Sequence, residues 1–377
     1  MTKGVKVDSD PGWRSPVARV LTALGAEATP HVRLSRAGQS DVFRIWRGAP
    51  SERQSLILKM SDDVETMGRE FRMSNLLLER VPVVSPRPLE WGETDGQAWI
   101  LFEDLGLSDV RWSPDVDLAV ADLMAAVHSV ELGERDDADS TVTTVPHGDD
   151  AFRQRVAAGV SHTPGVTILL EEVGQRSWSD LSSILGQAGT SSHGVAAVRR
   201  LFRTIESTDF GIGHGPQVLS HGDFHRGNVL WRPLTDAAVS FERASERESP
   251  VPDRTPERTV RRLALIDWEY AHRDVMWFDL FQWLDATSPT QPLRRYVRRV
   301  EALQRYRSLS AAGQEMSEWS FLRAYILYAA IHLVWILLRV HEDLATNRFD
   351  SEQLRRQQGE TTKGLLSLDR DLRAMVE

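Results

Sequence analysis

The apolar pattern of this chain changes part-way along it, and the change limits the folds that it can adopt. Short extended runs dominate the first hundred residues, with two strands predicted in 31–48, one at 55–60 and a hairpin at 84–106. One helical pattern, at 65–81, interrupts them. From residue 117 onward the apolar spacing is mainly helical. A small sheet with one helix, followed by many helices, predicts an α+β protein.

Composition limits the chemistry that such a fold can carry. At 377 residues the chain suffices for one large two-lobed domain or two ordinary ones. It has no cysteine, which excludes disulfides, thiolate nucleophiles and cysteine-ligated zinc and suits a cytoplasmic location. The net charge of -9 argues against a nucleic-acid partner, because affinity for nucleic acid depends largely on basic patches.

Two segments bear on membrane and nucleic-acid binding. The most apolar run, 324–338, has fifteen residues with His332 inside, whereas a bilayer needs about 20. We therefore expect a buried helix and no membrane partner. The basic cluster at 292–307 has helical spacing, and acidic segments elsewhere balance it, so it is predicted to be a solvated helix face.

The stretch SHGDFHRGNVLW, residues 220–231, admits two kinds of chemistry. His221, Asp223 and His225 alternate, so on a strand they would face one side and could bind the metal of a hydrolase. In a loop, His221, Asp223 and Asn228 instead form the H-x-D-x-x-x-x-N frame of a phosphoryl-transfer site. There Asp223 would accept the proton of an alcohol, Asn228 would bind a metal and His221 would brace the loop.

Two further segments favour phosphoryl transfer. The run LALIDWE places Asp267 at the end of a predicted buried strand, where a second metal-binding group is needed. Lys59 ends LILK in the strand at 55–60, and Glu70 follows eleven residues later in the predicted helix. A strand lysine paired with a helix glutamate is what a kinase uses to hold nucleotide phosphates. The metal-hydrolase interpretation leaves Asn228 and Asp267 without a role.

With these motifs in order, the sequence resembles the aminoglycoside phosphotransferase and choline kinase superfamily. SHGDFHRGNVLW, LIDWEYA and FDLFQWL carry the resemblance. It implies a bilobal protein-kinase-like fold that uses ATP and Mg²⁺. It also implies that Asp223 is the catalytic base and that Asn228 and Asp267 hold magnesium. Asp279, in the third motif, would be a buried aspartate that braces the catalytic loop.

The same resemblance indicates a nucleotide site in the amino-terminal part. AGQSDVFRI is similar to the turn that covers the phosphates, with Ser40 and nearby backbone amides as donors. ILFEDLG is similar to the hinge between the lobes, where backbone groups around Phe102 and Glu103 would bind adenine. Together with Lys59 and Glu70, these residues form the predicted ATP site.

The implied domains are a nucleotide-binding lobe at 17–104 and a helical lobe at 105–377, which carries the catalytic loop and the acceptor site. Within the second, residues 234–261 are charged, rich in Ser and Pro and poor in apolar side chains, so a flexible insertion is predicted. Two nearby side chains have open roles. His225 could orient substrate, contact phosphate or cap the loop, and Glu269 could assist metal or nucleotide binding or face the solvent.

The acceptor is the least determined part of the prediction. A hydroxyl group of a small molecule is expected, such as an aminoglycoside-type antibiotic or an amino alcohol, and acidic and aromatic residues would suit a cationic one. A second possibility is a kinase acting on Ser or Thr of a peptide in natural-product biosynthesis. A third is a catalytically inactive nucleotide-binding partner protein, although none of the predicted site residues is chemically degenerate.

Overall fold

Two compact units make up the part of the chain that the structure describes. The computed structural model describes residues 16–24, 31–37, 40–48, 53–81, 85–106, 112–130, 178–187, 189–206, 216–231, 263–290, 293, 297–346 and 349–375. The first unit contains the described residues of Met1–Arg111 and Gly227–Ala271. The second contains those of Trp112–Gly133, Thr143–Arg226 and His272–Glu377. The predicted insertion at 234–261 lies outside the described residues, and the domain bounds at 17–104 and 105–377 stay a prediction.

Strands come early and helices late along the described chain. Up to residue 130 the elements are α1 (Pro16–Ala23), β1 (His31–Ala37), β2 (Ser40–Arg47), β3 (Gln54–Ser61), α2 (Val64–Arg80), β4 (Pro88–Thr94), β5 (Gln97–Glu103) and α3 (Pro114–His128). Beyond it they are α4 (Trp178–Gln187), α5 (Ser192–Glu206), β6 (Gln217–Ser220), β7 (Val229–Trp231), β8 (Leu263–Leu265), β9 (His272–Val275), α6 (Trp277–Leu284), α7 (Arg299–Leu309), α8 (Ala311–Gln314), α9 (Glu318–Thr346) and α10 (Ser351–Ala374). Short 3-10 helices cover Arg226–Asn228 and Trp268–Tyr270. The predicted α+β class is confirmed.

The first unit is built on a five-stranded antiparallel sheet in the order β1-β2-β3-β5-β4. The hairpin predicted at 84–106 is confirmed, and β4 and β5 join at Asp95 and Gly96, with φ of 52° and 76°. Left-handed backbone at both central residues of a two-residue turn matches the twist of the flanking strands, and an Asp-Gly pair adopts it readily. The strands predicted in 31–48 and at 55–60 are also confirmed.

Alternation along β3 decides which of its side chains meet α2. Leu56, Leu58 and Met60 lie in one apolar cluster together with residues of α1. Ile57, on the opposite face, packs in a second cluster with Met67 of α2. Because side chains alternate along a strand, Lys59 shares the face that α2 covers. The sequence predicted α2 but not the eight-residue α1, which is too short for a periodic pattern to stand out.

The apolar run at 324–338 lies within α9, a helix of 29 residues. Among the described residues, α9 is the one helix long and apolar enough to cross a membrane, and 89% of its most apolar window is buried inside the structure. The prediction of a buried helix is therefore confirmed. The closing helix α10 packs closely on it, because a Cβ atom at Gly364 would lie only 2.8 Å from Leu333 Cδ1.

One described arginine of the basic cluster at 292–307 does not lie on the solvated face that the spacing predicts. Arg299 is buried, and its Nη2 and Nε donate to Asp285 Oδ1 and Oδ2 at 2.6 and 2.7 Å. Its Nη1 contacts Asp371 of α10. Tyr325 of α9 donates its hydroxyl hydrogen to Asp285 at 2.7 Å. The prediction is wrong for Arg299 because helical spacing defines a face without showing whether another helix covers it.

His332, in the middle of α9, is a buried titratable group in an aromatic environment. Its ring stacks on Tyr328, with the centroids 4.1 Å apart, and lies 4.7 Å from Phe281. Burial lowers its pKa from 6.5 to about 4, although its Nδ1 contacts the Tyr328 carbonyl. Below pH 6.5 the His332 side chain takes up a proton in the unfolded chain, whereas in the folded chain it does so only near pH 4. This histidine therefore reduces stability as the pH falls through that window, and adds no further loss below it.

We expect His332→Phe to flatten the pH dependence of stability, by up to about 1.4 kcal/mol per pH unit inside the window, because the protonation difference between unfolded and folded chains disappears. The measurement is urea unfolding of both proteins at several pH values between about 4 and 7. The expectation fails if the two proteins show the same slope.

Candidate active site

Lys59 of β3 contacts three carboxylates within the first unit. Its Nζ lies 2.7 Å from Glu70 Oε2 and 3.0 Å from Glu269 Oε2, and it also contacts Asp267 Oδ1. Glu70 belongs to α2, whereas Asp267 and Glu269 follow β8. The pairing of Lys59 with Glu70 predicted from the sequence is confirmed. The fold adds Asp267, which lies 208 residues from Lys59 along the chain.

Burial and charge act against each other in this cluster. Burial lowers the pKa of Lys59, but its three carboxylate neighbours raise it well above the usual value, so the ammonium group stays charged. Burial raises the pKa of Glu70 to about 7, although Lys59 opposes the change. One cation faces three acidic side chains, and negative charge is in excess whenever all three are ionised.

The backbone at Asp267 turns this side chain out of its strand. Its φ of 71° and ψ of 56° are left-handed, which costs a residue with a Cβ of the order of 1 kcal/mol. The strand before it, β8, is fully buried, and Trp268 after it is buried with its Nε1 donating to Leu265 O at 3.1 Å. Asp267 therefore lies between two buried, well-packed segments, which hold the turn in place.

The three carboxylates around Lys59, those of Glu70, Asp267 and Glu269, include the oxygen donors for a magnesium site. Their oxygens lie within 4.8 Å of one another, and they are the one group of at least three His, Cys, Asp or Glu side chains this close among the described residues. Oxygen donors with excess negative charge suit Mg²⁺. Asn228 is near in the fold as well, because its carbonyl oxygen accepts a hydrogen bond from Ile266 N at 3.0 Å.

The predicted catalytic loop starts in the second unit, where β6 ends and Asp279 of α6 binds its first residues. Asp279 is buried, and its Oδ1 accepts from Ser220 Oγ at 2.9 Å and from Gly222 N at 3.2 Å. Its Oδ2 accepts from His221 N at 2.7 Å and contacts His128 Nε2 at 3.2 Å. Burial opposes ionisation of Asp279, but the hydrogen bonds and the two histidines keep its pKa below the usual value. The predicted brace is therefore present.

The predicted base follows directly from this brace. The backbone N–H of Asp223 donates to His221 Nδ1 at 3.3 Å, and the Asp223 side chain is 39% exposed. His225 Nε2 lies 3.5 Å from Asp223 Oδ2. His221 is fully buried with its Nδ1 turned to the backbone, and the three side chains do not form a metal-ligand group. This geometry gives the metal-hydrolase interpretation no support, whereas the bracing role of His221 is consistent with its contacts.

The predicted nucleotide contacts lie at the sheet of the first unit. Ser40 is buried as the first residue of β2, and the two residues before it lie outside the described residues. Phe102 is buried in the cluster shared with α2. Glu103 N donates to Arg87 O at 3.0 Å, so this amide already serves the β4–β5 hairpin and is not available to adenine. The roles of these residues stay predictions.

Sequence comparison assigns the family. A family model described as the phosphotransferase enzyme family matches residues 31–240, which is more than half of the chain. The match begins at β1 and includes Asp223 and Asn228, whereas Asp267 lies beyond it. The chain belongs to the phosphotransferase enzyme family. The resemblance inferred from the motifs and the predicted phosphotransferase class are thereby confirmed. No curated protein sequence matches the chain.

Several solved structures are similar to this chain at low identity. A thermostable mutant of aminoglycoside phosphotransferase APH(4)-Ia is 14% identical, with a TM-score of 0.44 over 92% of this chain and 97% of that one. Macrolide 2'-phosphotransferase MphH from Brachybacterium faecium is 14% identical, with a TM-score of 0.44 over 91% and 98%. Plasmodium vivax ethanolamine kinase is 12% identical, with a TM-score of 0.48 over 94% and 87%. Because the names of these proteins indicate different substrates, the comparison does not identify the substrate of this chain.

Sequence reasoning missed a second charged contact beside the predicted hinge. Asp104 accepts hydrogen bonds from Arg44 Nε at 2.6 Å and from Gly106 N at 2.8 Å, and it also contacts Ser55. Burial opposes ionisation of Asp104, but these hydrogen bonds lower its pKa. The partners Arg44 and Ser55 lie 60 and 49 residues away along the chain, so no local spacing indicates them.

Proposed function

We propose that this phosphotransferase transfers the terminal phosphoryl group of ATP to a hydroxyl group of a small molecule, with Mg²⁺ as cofactor. The contact of Lys59 with both Glu70 and Asp267 carries the proposal. Kinases need a strand lysine on the phosphates, a helix glutamate paired with it and a metal-binding aspartate in place together. In this chain all three side chains meet within one unit.

Each side chain then has a role in the reaction. Lys59 binds phosphate oxygens through its ammonium group, and Glu70 keeps that group in position. Asp267 and Asn228 would hold Mg²⁺, which when bound neutralises charge on the phosphates. Asp223 orients the acceptor hydroxyl and takes its proton while the acceptor oxygen forms the new bond to phosphorus and ADP leaves.

Charge supports a cationic acceptor. The chain carries a net charge of -9, and its proposed base is an aspartate that is partly exposed. Negative potential raises the local concentration of cations and steers them to a cleft. A cationic small molecule, such as an aminoglycoside or an amino alcohol, is therefore the acceptor that we propose.

The proposal is tested by incubating the purified protein with ATP and Mg²⁺ and with hygromycin B, a macrolide, ethanolamine, choline, thiamine or a fructosamine. Release of ADP is measured together with the mass of the acceptor. We expect ADP to form in equal amount with a singly phosphorylated acceptor, and Lys59→Met to abolish both. ATP binding without any ADP release would favour the inactive nucleotide-binding alternative, and failure to bind ATP would contradict both.

A further inference from the structure

Arg226, three residues after the proposed base, packs against two tryptophans of the second unit. Its Cζ atom is 4.7 Å from the ring centroid of Trp112 and 5.5 Å from that of Trp283. The two indole rings also contact each other, with their centroids 5.4 Å apart. A planar guanidinium group stacks favourably on such rings, and the attraction increases as water is excluded.

A buried carboxylate fixes the guanidinium group from the helix side. Arg226 Nη2 donates to Asp117 Oδ1 at 3.3 Å, and the Asp117 side chain is only 2% exposed. Asp117 Oδ2 also accepts from Val297 N at 3.2 Å. Asp117 belongs to α3, and Val297 lies just before α7. One end of the loop is thereby tied to two helical segments that are distant in sequence.

The same loop is held at its other end. Asp279 binds the first residues of the loop, as described above, and Phe224 is buried with its ring centroid 5.5 Å from that of Trp283. Trp283 therefore contacts the residue after Asp223 as well as Arg226. The partly exposed carboxylate of Asp223 projects from a short segment with an anchor on each side.

We propose that Arg226 is a positioning residue that fixes the backbone carrying Asp223, and that its planar guanidinium group is required for this. The proposal rests on the proposed function, in which Asp223 is the base. A base displaced by about 1 Å can lower a rate by about 10²-fold, because the reacting groups leave the productive geometry. Lysine keeps the charge of arginine but cannot stack as a plane or donate in a fork.

A second arginine in the same unit provides a matched control for a purely structural role. Arg305 of α7 donates to Asp122 of α3 at 2.6 and 2.8 Å. Its side chain is 29% exposed, compared with 22% for Arg226, and both acidic partners are buried on α3. Both arginines thus pair with a buried aspartate of the same helix, Arg305 through two shorter hydrogen bonds, but Arg305 is not part of the catalytic loop.

The test compares Arg226→Lys with Arg305→Lys in the full chain. With an acceptor found in the screen above, we expect kcat to fall by about 10- to 100-fold in Arg226→Lys, with the KM for ATP within about twofold of wild type. Arg305→Lys should keep kcat within about twofold at a similar shift in Tm. Hydrogen exchange of the backbone amides in 220–231 should be faster in Arg226→Lys alone.

The exchange measurement needs no acceptor, so it separates the two proposals. If no acceptor is phosphorylated, the proposed function fails, and unchanged exchange in Arg226→Lys would still overturn the positioning role. If wild type is active and both variants behave alike in kcat and in exchange, the positioning role alone is overturned. If Arg226→Lys does not fold, Asp117→Asn replaces it in the test. This variant removes the counter-charge but leaves the tryptophans, so we expect the same loss of kcat and the same faster exchange, both smaller.

Discussion

Asp223→Asn is expected to lower the kcat of phosphoryl transfer by about 10²- to 10⁴-fold, the usual range for loss of a positioned general base. Asparagine has nearly the shape of aspartate but cannot take the proton of the acceptor hydroxyl. The loop should keep its structure, because the hydrogen bond from residue 223 to His221 Nδ1 uses the backbone N–H. The KM for ATP should change little, since Lys59 and Asp267 are untouched.

The measurement is the steady-state rate of acceptor phosphorylation, with the Tm recorded for each protein. Asp95→Asn is the matched control, because Asp95 is 58% exposed in the β4–β5 turn, and asparagine tolerates the left-handed backbone there. It should retain the wild-type rate. A rate for Asp223→Asn close to that of the control would show that another group, with His225 the first candidate, accepts the proton.

Arg299→Met is expected to reduce the free energy of unfolding by about 3–5 kcal/mol, the usual loss when one member of a buried ion pair is removed. Asp285 is fully buried, and in the variant its carboxylate would face a thioether side chain in place of a guanidinium group. Burial lowers the pKa of Arg299, but Asp285 and Asp371 raise it above the usual value. The guanidinium group therefore stays charged. Urea unfolding at neutral pH measures the loss.

Arg200→Met is the control for this experiment. Arg200 also binds an aspartate with two hydrogen bonds, at 3.1 and 2.7 Å to Asp369 of α10, but its side chain is 48% exposed. The Asp369 side chain is buried, but it keeps its contact with Arg373 when Arg200 is removed, so we expect a loss well below that of Arg299→Met. Adding Asp285→Asn to Arg299→Met should recover part of the loss, since the buried charge disappears. Equal losses in Arg299→Met and Arg200→Met would contradict the role assigned to burial.

Local sequence patterns predicted much of the fold and, in the candidate site, the pairing of Lys59 with Glu70. The Asp-Gly turn and the alternation of β3 indicated the hairpin and the strand that carries Lys59, since both depend on neighbouring residues alone. Glu70 was found because it lies on the next helix, eleven residues on. The short α1 was missed, since eight residues show little periodicity, and only the structure showed that His221 is buried with its Nδ1 turned to the loop backbone.

By itself the sequence determined the α+β class, the strand and helix order in the first hundred residues and the identity of the chemically competent side chains. The tertiary structure alone decided that Asp267 and Glu269 meet Lys59, that Asp117 binds Arg226 and that Arg299 is buried. The physical reason is common to these cases. Sequence spacing specifies which face of an element a side chain occupies, whereas its partner depends on which distant segment packs against that face.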